Sequence, residues 1–98
     1  MGCKVIFSHQ AIADLAAIVG RIARDDRAAA ERTGYALIDR VAILENFPLI
    51  GSPYRKRPGV RKLVSRPYII FCRARLEQHR VDVLRYWHGA RDEPDWGE

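Results

Sequence analysis

The apolar positions of the chain change from a helical spacing to an alternating one near residue 60. Residues 4–8 form a short alternating run, and apolar residues then recur every three or four positions as far as Asp25, and again from about Arg27 to Phe47. Ser8 and Asp26 precede these two stretches, and their side-chain oxygens can accept hydrogen bonds from the first free N–H groups of a helix. The pattern therefore predicts a strand followed by two helices.

The two predicted helices are joined by so few residues that they must form an antiparallel hairpin. Gly34 inside the second helix indicates a close approach to the first, and Pro48 and Gly51 end the second helix. The core-facing positions are predicted to be Ile12, Leu15, Ile18, Val19, Ile22, Leu37, Val41, Leu44 and Phe47. The helix carboxylates Asp14, Glu31 and Glu45 are expected to face solvent.

The second half of the chain predicts strands. A basic loop with Gly and Pro residues covers 49–59, and the period then becomes two over 60–66, 68–76 and 80–88, with a short turn at 77–79. The order β-α-α-β-β-β predicts an α+β fold in which an N-terminal strand and the helical hairpin pack on a small, mainly antiparallel sheet. Residues 1–98 form one domain, with an acidic tail at 92–98.

Composition excludes several classes of protein. The chain has 98 residues, 48% of them hydrophobic, which suits one domain with one core. Since we find neither a signal-peptide pattern nor an apolar run of membrane-spanning length, we expect a cytoplasmic protein without a membrane partner. Cys3, Cys72 and the three histidines have no metal-ligand spacing, so we expect neither a metal nor a cofactor.

Charge is concentrated in one part of the chain. Residues 55–91 hold eleven Lys and Arg against two acids, a local charge of +9, whereas the whole chain carries +5. Residues 92–98 hold four acids and no base. Charge of one sign attracts anionic or acidic partners, but it does not choose between nucleic acid and protein.

An ordered set of motifs runs through nearly the whole chain. They are Val5-Ile6-Phe7-Ser8 before Ala11 and Asp14-Leu15, Leu44-x-x-Phe47-Pro48-x-x-Gly51, Arg61-x-Leu63, Pro67-Tyr68-Ile69-Ile70-Phe71, and Val81-x-Val83-Leu84-Arg85 leading to His88-Gly89-Ala90-Arg91-Asp92. In this combination the chain resembles the RelE/ParE superfamily of type II toxin-antitoxin toxins.

The resemblance implies a bacterial or archaeal cytoplasmic protein that arrests growth when free. A cognate antitoxin, with a usually acidic C-terminal segment, would neutralise it in a hetero-oligomer. RelE-like members cut messenger RNA in the ribosome, whereas ParE-like members poison DNA gyrase, so the resemblance leaves two targets open.

The residues favour the ParE-like branch. RelE-like nucleases usually carry a basic residue just after the aromatic start of the third strand, and Ile69 stands at that place. A gyrase inhibitor that acts by protein contact, without a cofactor, is therefore the leading interpretation. The first alternative is a metal-independent endoribonuclease that would use Arg61, Arg73, His88 and Arg91. The second is an inactive or nucleic-acid-binding module that retains the fold.

Nine residues are the predicted contacts to a target or antitoxin, with antitoxin side chains expected in a groove between the hairpin and the sheet. They are Arg55, Lys56, Arg57, Arg61, Arg73, Arg85, His88, Arg91 and Trp96. Simpler roles are open for some residues of this region. His88 would bond to backbone, Trp87 would belong to the core, and Asp92 would pair with Arg91 or Arg85.

Overall fold

The structure is a computed structural model, and it describes residues 2–94 and 96. Five strands and two α-helices follow one another with two short 3₁₀ turns. The elements are β1 (Lys4–Phe7), α1 (His9–Ala23), α2 (Arg27–Val41), a 3₁₀ turn (Ala42–Glu45), β2 (Ser52–Pro53), β3 (Arg61–Ser65), β4 (Tyr68–Arg75), a 3₁₀ turn (Leu76–Gln78) and β5 (Arg80–His88).

The two helices begin where the sequence predicts. Ser8 Oγ accepts a hydrogen bond from the backbone N of Ala11 at 3.0 Å, and Asp26 Oδ1 accepts one from Ala29 N at 3.1 Å. Each bond satisfies one of the N–H groups that a helix start leaves unpaired. Ser8 also donates through Oγ to the carbonyl of Leu84 at 2.9 Å, which ties the start of α1 to β5.

The predicted end of the second helix at Phe47 is wrong. The α-helix stops at Val41 and tightens into the 3₁₀ turn, and Phe47 is 60% exposed instead of lying in the core. A proline disfavours helical backbone at the residue before it, so the chain must leave the helix before Pro48. The buried stripe of this segment therefore ends at Leu44.

The sheet has the strand order β1-β5-β4-β3-β2. β1 runs parallel to β5 and every other pair is antiparallel, so the predicted α+β fold with a mainly antiparallel sheet is confirmed. The prediction that 49–59 is entirely loop is wrong at two positions, because Ser52 and Pro53 form β2 and pair with Lys62 and Arg61.

A register shift in β5 changes which side chains face the helices. Phe71 pairs with Arg85 while Cys72 pairs with Val83, so Leu84 is an extra residue in β5. Beyond this bulge, the β5 side chains that simple alternation would place toward the helices lie on the other side of the sheet, and those between them face the helices. Tyr86 therefore joins Val83 under the helices instead of Trp87.

Tyr86 is almost fully buried, and its hydroxyl donates to the carbonyl of Leu37 at 3.0 Å. Trp87 is only half-buried, so its predicted place in the core is wrong.

The core lies between the hairpin and one face of the sheet. Its buried members are Ala11, Leu37, Val41, Leu44, Leu63, Ile70, Cys72, Val81, Val83 and Tyr86. A Cβ added to Gly34 would lie 3.2 Å from Val19 Cγ2, so the predicted close approach of the helices at Gly34 is present. Across residues 2–94 and 96, neither helix combines the length and the apolar character needed to cross a membrane.

Candidate functional site

The predicted contact residues lie in separate places on the molecule. We call the sheet surface turned away from the helices, together with the loop before β3, the basic face. It is formed by Tyr54, Lys56, Arg57, Phe71 and Arg73, and Trp96 packs on it. Lys56, Arg57 and Arg73 line an open depression of about 220 Å³ with Pro58.

Three aromatic rings form the centre of the basic face. The ring centroids of Tyr54 and Phe71 are 4.9 Å apart, and those of Phe71 and Trp96 are 5.3 Å apart with nearly perpendicular planes. The guanidinium carbon of Arg57 lies 4.6 Å from the Trp96 ring centroid. Edge-to-face rings and a cation over an indole are both favourable arrangements, so Trp96 is held by its own chain.

Glu93 joins the C-terminal residues to the same surface. Its carboxylate accepts hydrogen bonds from the Tyr54 hydroxyl at 2.7 Å and from Lys56 Nζ at 3.1 Å. These two bonds, that of Tyr54 first, lower the pKa of Glu93. Burial and then the Glu93 carboxylate raise the pKa of Tyr54.

His88 and Arg91 lie at the far end of β5. With Arg21 and Trp87 they line a cleft of about 80 Å³ between α1 and the sheet. His88 Nδ1 accepts a hydrogen bond from Ala90 N at 3.1 Å, so the predicted backbone bond is present. Arg91 is exposed, and its guanidinium carbon lies 5.0 Å from the Trp87 ring centroid.

Arg85 is buried, with 8% of its surface exposed, although it was predicted to contact a partner. Its Nε lies 2.7 Å from Asp14 Oδ2 and its Nη2 lies 3.0 Å from Asp14 Oδ1, a two-point ion pair. Asp14 Oδ2 also accepts from the backbone N of Tyr86 at 3.1 Å. The prediction that Asp14 faces solvent is therefore wrong, and so is the suggested pairing of Arg85 with Asp92.

The position of Asp14 has a physical reason. β1 ends at Phe7, so beyond Val83 that side of β5 has no strand partner. α1 passes this open edge, and the Asp14 carboxylate accepts a hydrogen bond from the Tyr86 N–H, which has no strand partner on this side among the described residues. In the sequence, the Asp14-Leu15 pair of the motif set is the one signal for a role of Asp14. Helix periodicity alone places Asp14 on the polar side of α1.

Other arginines are also held by contacts within the chain. Arg75 and Arg80 both bond to Asp82, at 2.9 Å and 2.8 Å, and these bonds outweigh burial and lower the pKa of Asp82. Arg61 Nη2 donates to the carbonyl of Gly51 at 2.9 Å. Three of the eleven basic residues in 55–91 are thus held by the carboxylates of Asp82 and Asp14.

The four residues of the nuclease alternative do not converge. Arg73 pairs with Asp82 at one end of β4, whereas Tyr68, the partner of His88, lies five residues away at the other end. Five residues of antiparallel strand span about 17 Å. Arg61 lies near Arg73, across from Cys72, and Arg91 follows His88. The described residues also hold no group of three or more His, Cys, Asp or Glu that could bind a metal ion.

An apolar groove between the helices was not predicted. It is lined by Leu15, Val19, Ala30, Gly34, Tyr35 and Ile38 and has a volume of about 240 Å³. Tyr35 is 68% exposed, and Ile38 and Ile12 are also exposed. We call this surface the helix groove. Between the hairpin and the sheet, where the sequence predicts the antitoxin groove, core side chains leave the cleft of about 80 Å³ beside α1.

The fold and these surfaces define a toxin of the RelE/ParE class. The family model described as the ParE toxin of the type II toxin-antitoxin system parDE matches residues 5–93. The chain belongs to this family, so the protein is a toxin of a type II toxin-antitoxin system, with a cognate antitoxin as its partner.

Two solved structures resemble the chain. The chromosomal ParDE toxin-antitoxin system from P. aeruginosa matches with a TM-score of 0.77 and 23% identity, over 88% of this chain and 95% of that one. The toxin-antitoxin complex RelBE2 from Mycobacterium tuberculosis matches with a TM-score of 0.61 and 26% identity, over 90% and 99% respectively. Comparison with curated proteins gives no significant match.

Proposed function

We propose that this toxin arrests growth by inhibiting DNA gyrase through protein contact, and that its antitoxin neutralises it by direct binding. The observation that carries the proposal is the distance along the sheet between Arg73 and His88, because Arg73 lies five residues, or about 17 Å, from Tyr68, the strand partner of His88. Cleavage of RNA requires an acid, a base and phosphate-binding cations at one scissile bond. A set spread over this distance does not meet that requirement.

Membership of the ParE family supports gyrase as the target. Ile69 supports it too, because this side chain lies half-buried between Val64 and Trp87 where the nucleases carry a cation. The similarity to RelBE2 keeps the ribosome-dependent nuclease as the alternative that the experiment must exclude.

The proposed target contact is the end of β5. Arg91 is exposed there, and the backbone bond from Gly89 N to Pro67 O, 2.8 Å long, brings the exposed Arg66 to the same end of the sheet. Two exposed cations beside the half-buried indole of Trp87 suit an acidic protein surface.

The proposed antitoxin contact is the helix groove. Contiguous apolar surfaces mark protein interfaces, whereas single exposed apolar side chains do not, and the lining of this groove is contiguous across the two helices. Tyr35 and Ile38 lie one helical turn apart on α2, facing Leu15 and Val19 of α1. An amphipathic helix of the antitoxin would place its apolar face in this groove.

The target is tested with purified toxin and purified gyrase. We expect loss of supercoiling and accumulation of double-strand cleavage complexes. Unimpaired supercoiling together with codon-positioned cuts in messenger RNA on ribosomes would establish the nuclease alternative instead.

Arg91→Ala tests the contact at the end of β5. It should weaken gyrase inhibition about tenfold or more, with antitoxin binding unchanged. Arg32→Ala is the matched control, since it also removes one exposed charge but lies on α2 away from the end of β5. Equal inhibition by both variants would move the target contact elsewhere.

Tyr35→Ala tests the helix groove. It should weaken binding of the co-encoded antitoxin about tenfold or more while leaving gyrase inhibition intact, because the groove and the end of β5 share no lining residue. Val64→Ala serves as the control, since Val64 is also an exposed apolar side chain but lies on β3 away from the groove. Wild-type antitoxin affinity in Tyr35→Ala would exclude the groove as the main contact.

A further inference from the structure

The C-terminal residues of the toxin turn back across its basic face. The indole Nε1 of Trp87 donates to the carbonyl of Asp92, Glu93 bonds to Tyr54 and Lys56, and Pro94 is buried. Trp96 then packs on Phe71 beneath the guanidinium of Arg57, as described above. Residues 92–94 and 96 thus form a continuous set of contacts with the basic face, which we call the C-terminal strap.

The strap and the face are complementary in two respects. Residues 92–98 hold four acids and no base, and the depression beside Glu93 and Trp96 is lined by Lys56, Arg57 and Arg73. The face also offers two rings, Tyr54 and Phe71, on which an aromatic side chain of the strap rests. The surface therefore recognises a carboxylate followed three residues later by an aromatic ring.

This recognition does not depend on the strap being covalently attached. The contacts are a hydrogen-bonded ion pair, a cation over an indole and edge-to-face rings, all of which a separate peptide can make. The ion pair is exposed, with 66% of the Lys56 side chain and 46% of the Glu93 side chain accessible. Such a pair contributes little to stability, so the buried Pro94 and the packed Trp96 hold the strap more than Glu93 does.

We propose that the basic face is a docking surface for an acidic protein segment carrying an aromatic side chain, and that the strap occupies it in the free toxin. A partner segment of this chemistry must displace the strap to bind. The proposal does not rest on gyrase being the target.

The strap raises the affinity that a partner needs. A segment tethered by a short flexible link acts at an effective concentration of about 1 mM. If the separate segment binds the open face with a Kd of about 100 μM, the tethered strap weakens its apparent affinity about tenfold.

The test uses a fluorescein-labelled synthetic peptide with the sequence of residues 91–98, followed by fluorescence anisotropy. The receptors are the wild-type toxin, the strap variant Glu93→Gln/Trp96→Ala, and the strap variant that also carries Arg57→Ala. We expect the peptide to bind the strap variant about tenfold more tightly than the wild type. Arg57→Ala should remove most of that binding.

Matched controls separate recognition from general charge attraction. Glu77→Gln removes an exposed acid from the turn before β5, and it should bind the peptide like the wild type. A peptide with Trp96→Ala keeps its charges, and it should bind the strap variant about tenfold more weakly. Dispersed ¹H–¹⁵N spectra establish that each variant is folded.

Three results would overturn the proposal: equal peptide affinity for the wild type and the strap variant, equal binding by the two peptides, or no binding to the strap variant at millimolar peptide. None of them affects the gyrase assay, which measures supercoiling with the complete toxin. The failure of one proposal is therefore distinguishable from the failure of the other.

Discussion

Replacing Asp14 by Ala should destabilise the protein strongly, although helix periodicity places Asp14 on the polar side of α1. The Asp14 and Arg85 side chains are only 12% and 10% exposed, and they meet through two hydrogen bonds. The substitution leaves the Arg85 cation without its Asp14 partner and takes away the acceptor of Tyr86 N. Removing one member of a buried ion pair costs about 3 to 5 kcal/mol.

The expected loss for Asp14→Ala is about 3 kcal/mol, the lower end of that range, because both side chains keep slight access to water. In a domain of this size about 1 kcal/mol shifts Tm by about 4 to 8 °C, so Tm should fall by about 12 to 24 °C. Lys56→Ala is the matched control. It breaks an ion pair with Glu93 that is exposed to solvent, so Tm should hardly change.

The assay is urea unfolding followed by circular dichroism, with Asp14→Ala, Arg85→Ala and the double variant forming a cycle. The double variant should be less destabilised than the sum of the single variants by about 1 to 3 kcal/mol, since the two groups interact directly. A cost below about 1 kcal/mol for Asp14→Ala, or additive costs, would refute the description of this pair as buried and coupled.

The same pair decides whether Arg85 has a role in partner binding. Asp14→Asn combined with Arg85→Met removes both charges and keeps a side-chain oxygen as acceptor for Tyr86 N, so it should cost less stability than Asp14→Ala. If this folded double variant inhibits its target and binds antitoxin as the wild type does, Arg85 is a structural residue. Loss of either activity at normal Tm would restore Arg85 as a contact.

Three further predictions concern single sites. Burial raises the pKa of the Cys72 thiol to about 12, so at pH 8 iodoacetamide should label Cys3 first, with Cys72 labelled only after unfolding; rapid labelling of both in the native protein would contradict this. Gly51→Ala should destabilise by about 2 kcal/mol or more in urea unfolding, because Gly51 has φ +95° and a Cβ there would lie 2.2 Å from the carbonyl oxygen of Lys62; a cost near zero would be inconsistent with this turn. The bonds from Tyr54 and Lys56 lower the pKa of Glu93 below its ordinary value of 4.5. The contribution of Glu93 to strap binding is therefore complete above pH 4.5 and is lost as the pH falls through the lower folded pKa. The NMR signals of the strap should shift toward free-peptide positions only below pH 4.5.

Local sequence rules predicted the elements because the responsible interactions are local. Ser8 and Asp26 cap helices through N–H groups three residues away, and strand alternation in 68–76 needs no knowledge of the rest of the fold. The predicted helix end failed because the backbone tightens into a 3₁₀ turn from Ala42, well before Pro48, so the proline does not mark where the α-helix stops.

Long-range features could not be predicted in the same way. The bulge at Leu84 inverts the facing of Tyr86 and Trp87, and nothing in simple alternation marks its position. The Asp14–Arg85 pair joins residues 71 positions apart, and it exists because β1 ends before the open part of β5. The basic residues could be counted from the sequence, but their partners depended on this register.

The register also changes what the local charge of +9 means for function. Arg75, Arg80 and Arg85 are held by Asp82 and Asp14, and Lys56 is held by Glu93 of the strap. The charge available to a partner in the free toxin therefore includes the exposed Arg66 and Arg91 at one end of the sheet and the exposed Arg55 in the loop before β3. It follows that a target binding at the end of β5 and a partner segment that displaces the strap can act on different surfaces of the same molecule. If so, Arg91→Ala should reduce gyrase inhibition without changing peptide binding to the strap variant. Arg57→Ala should reduce peptide binding to the strap variant without changing gyrase inhibition.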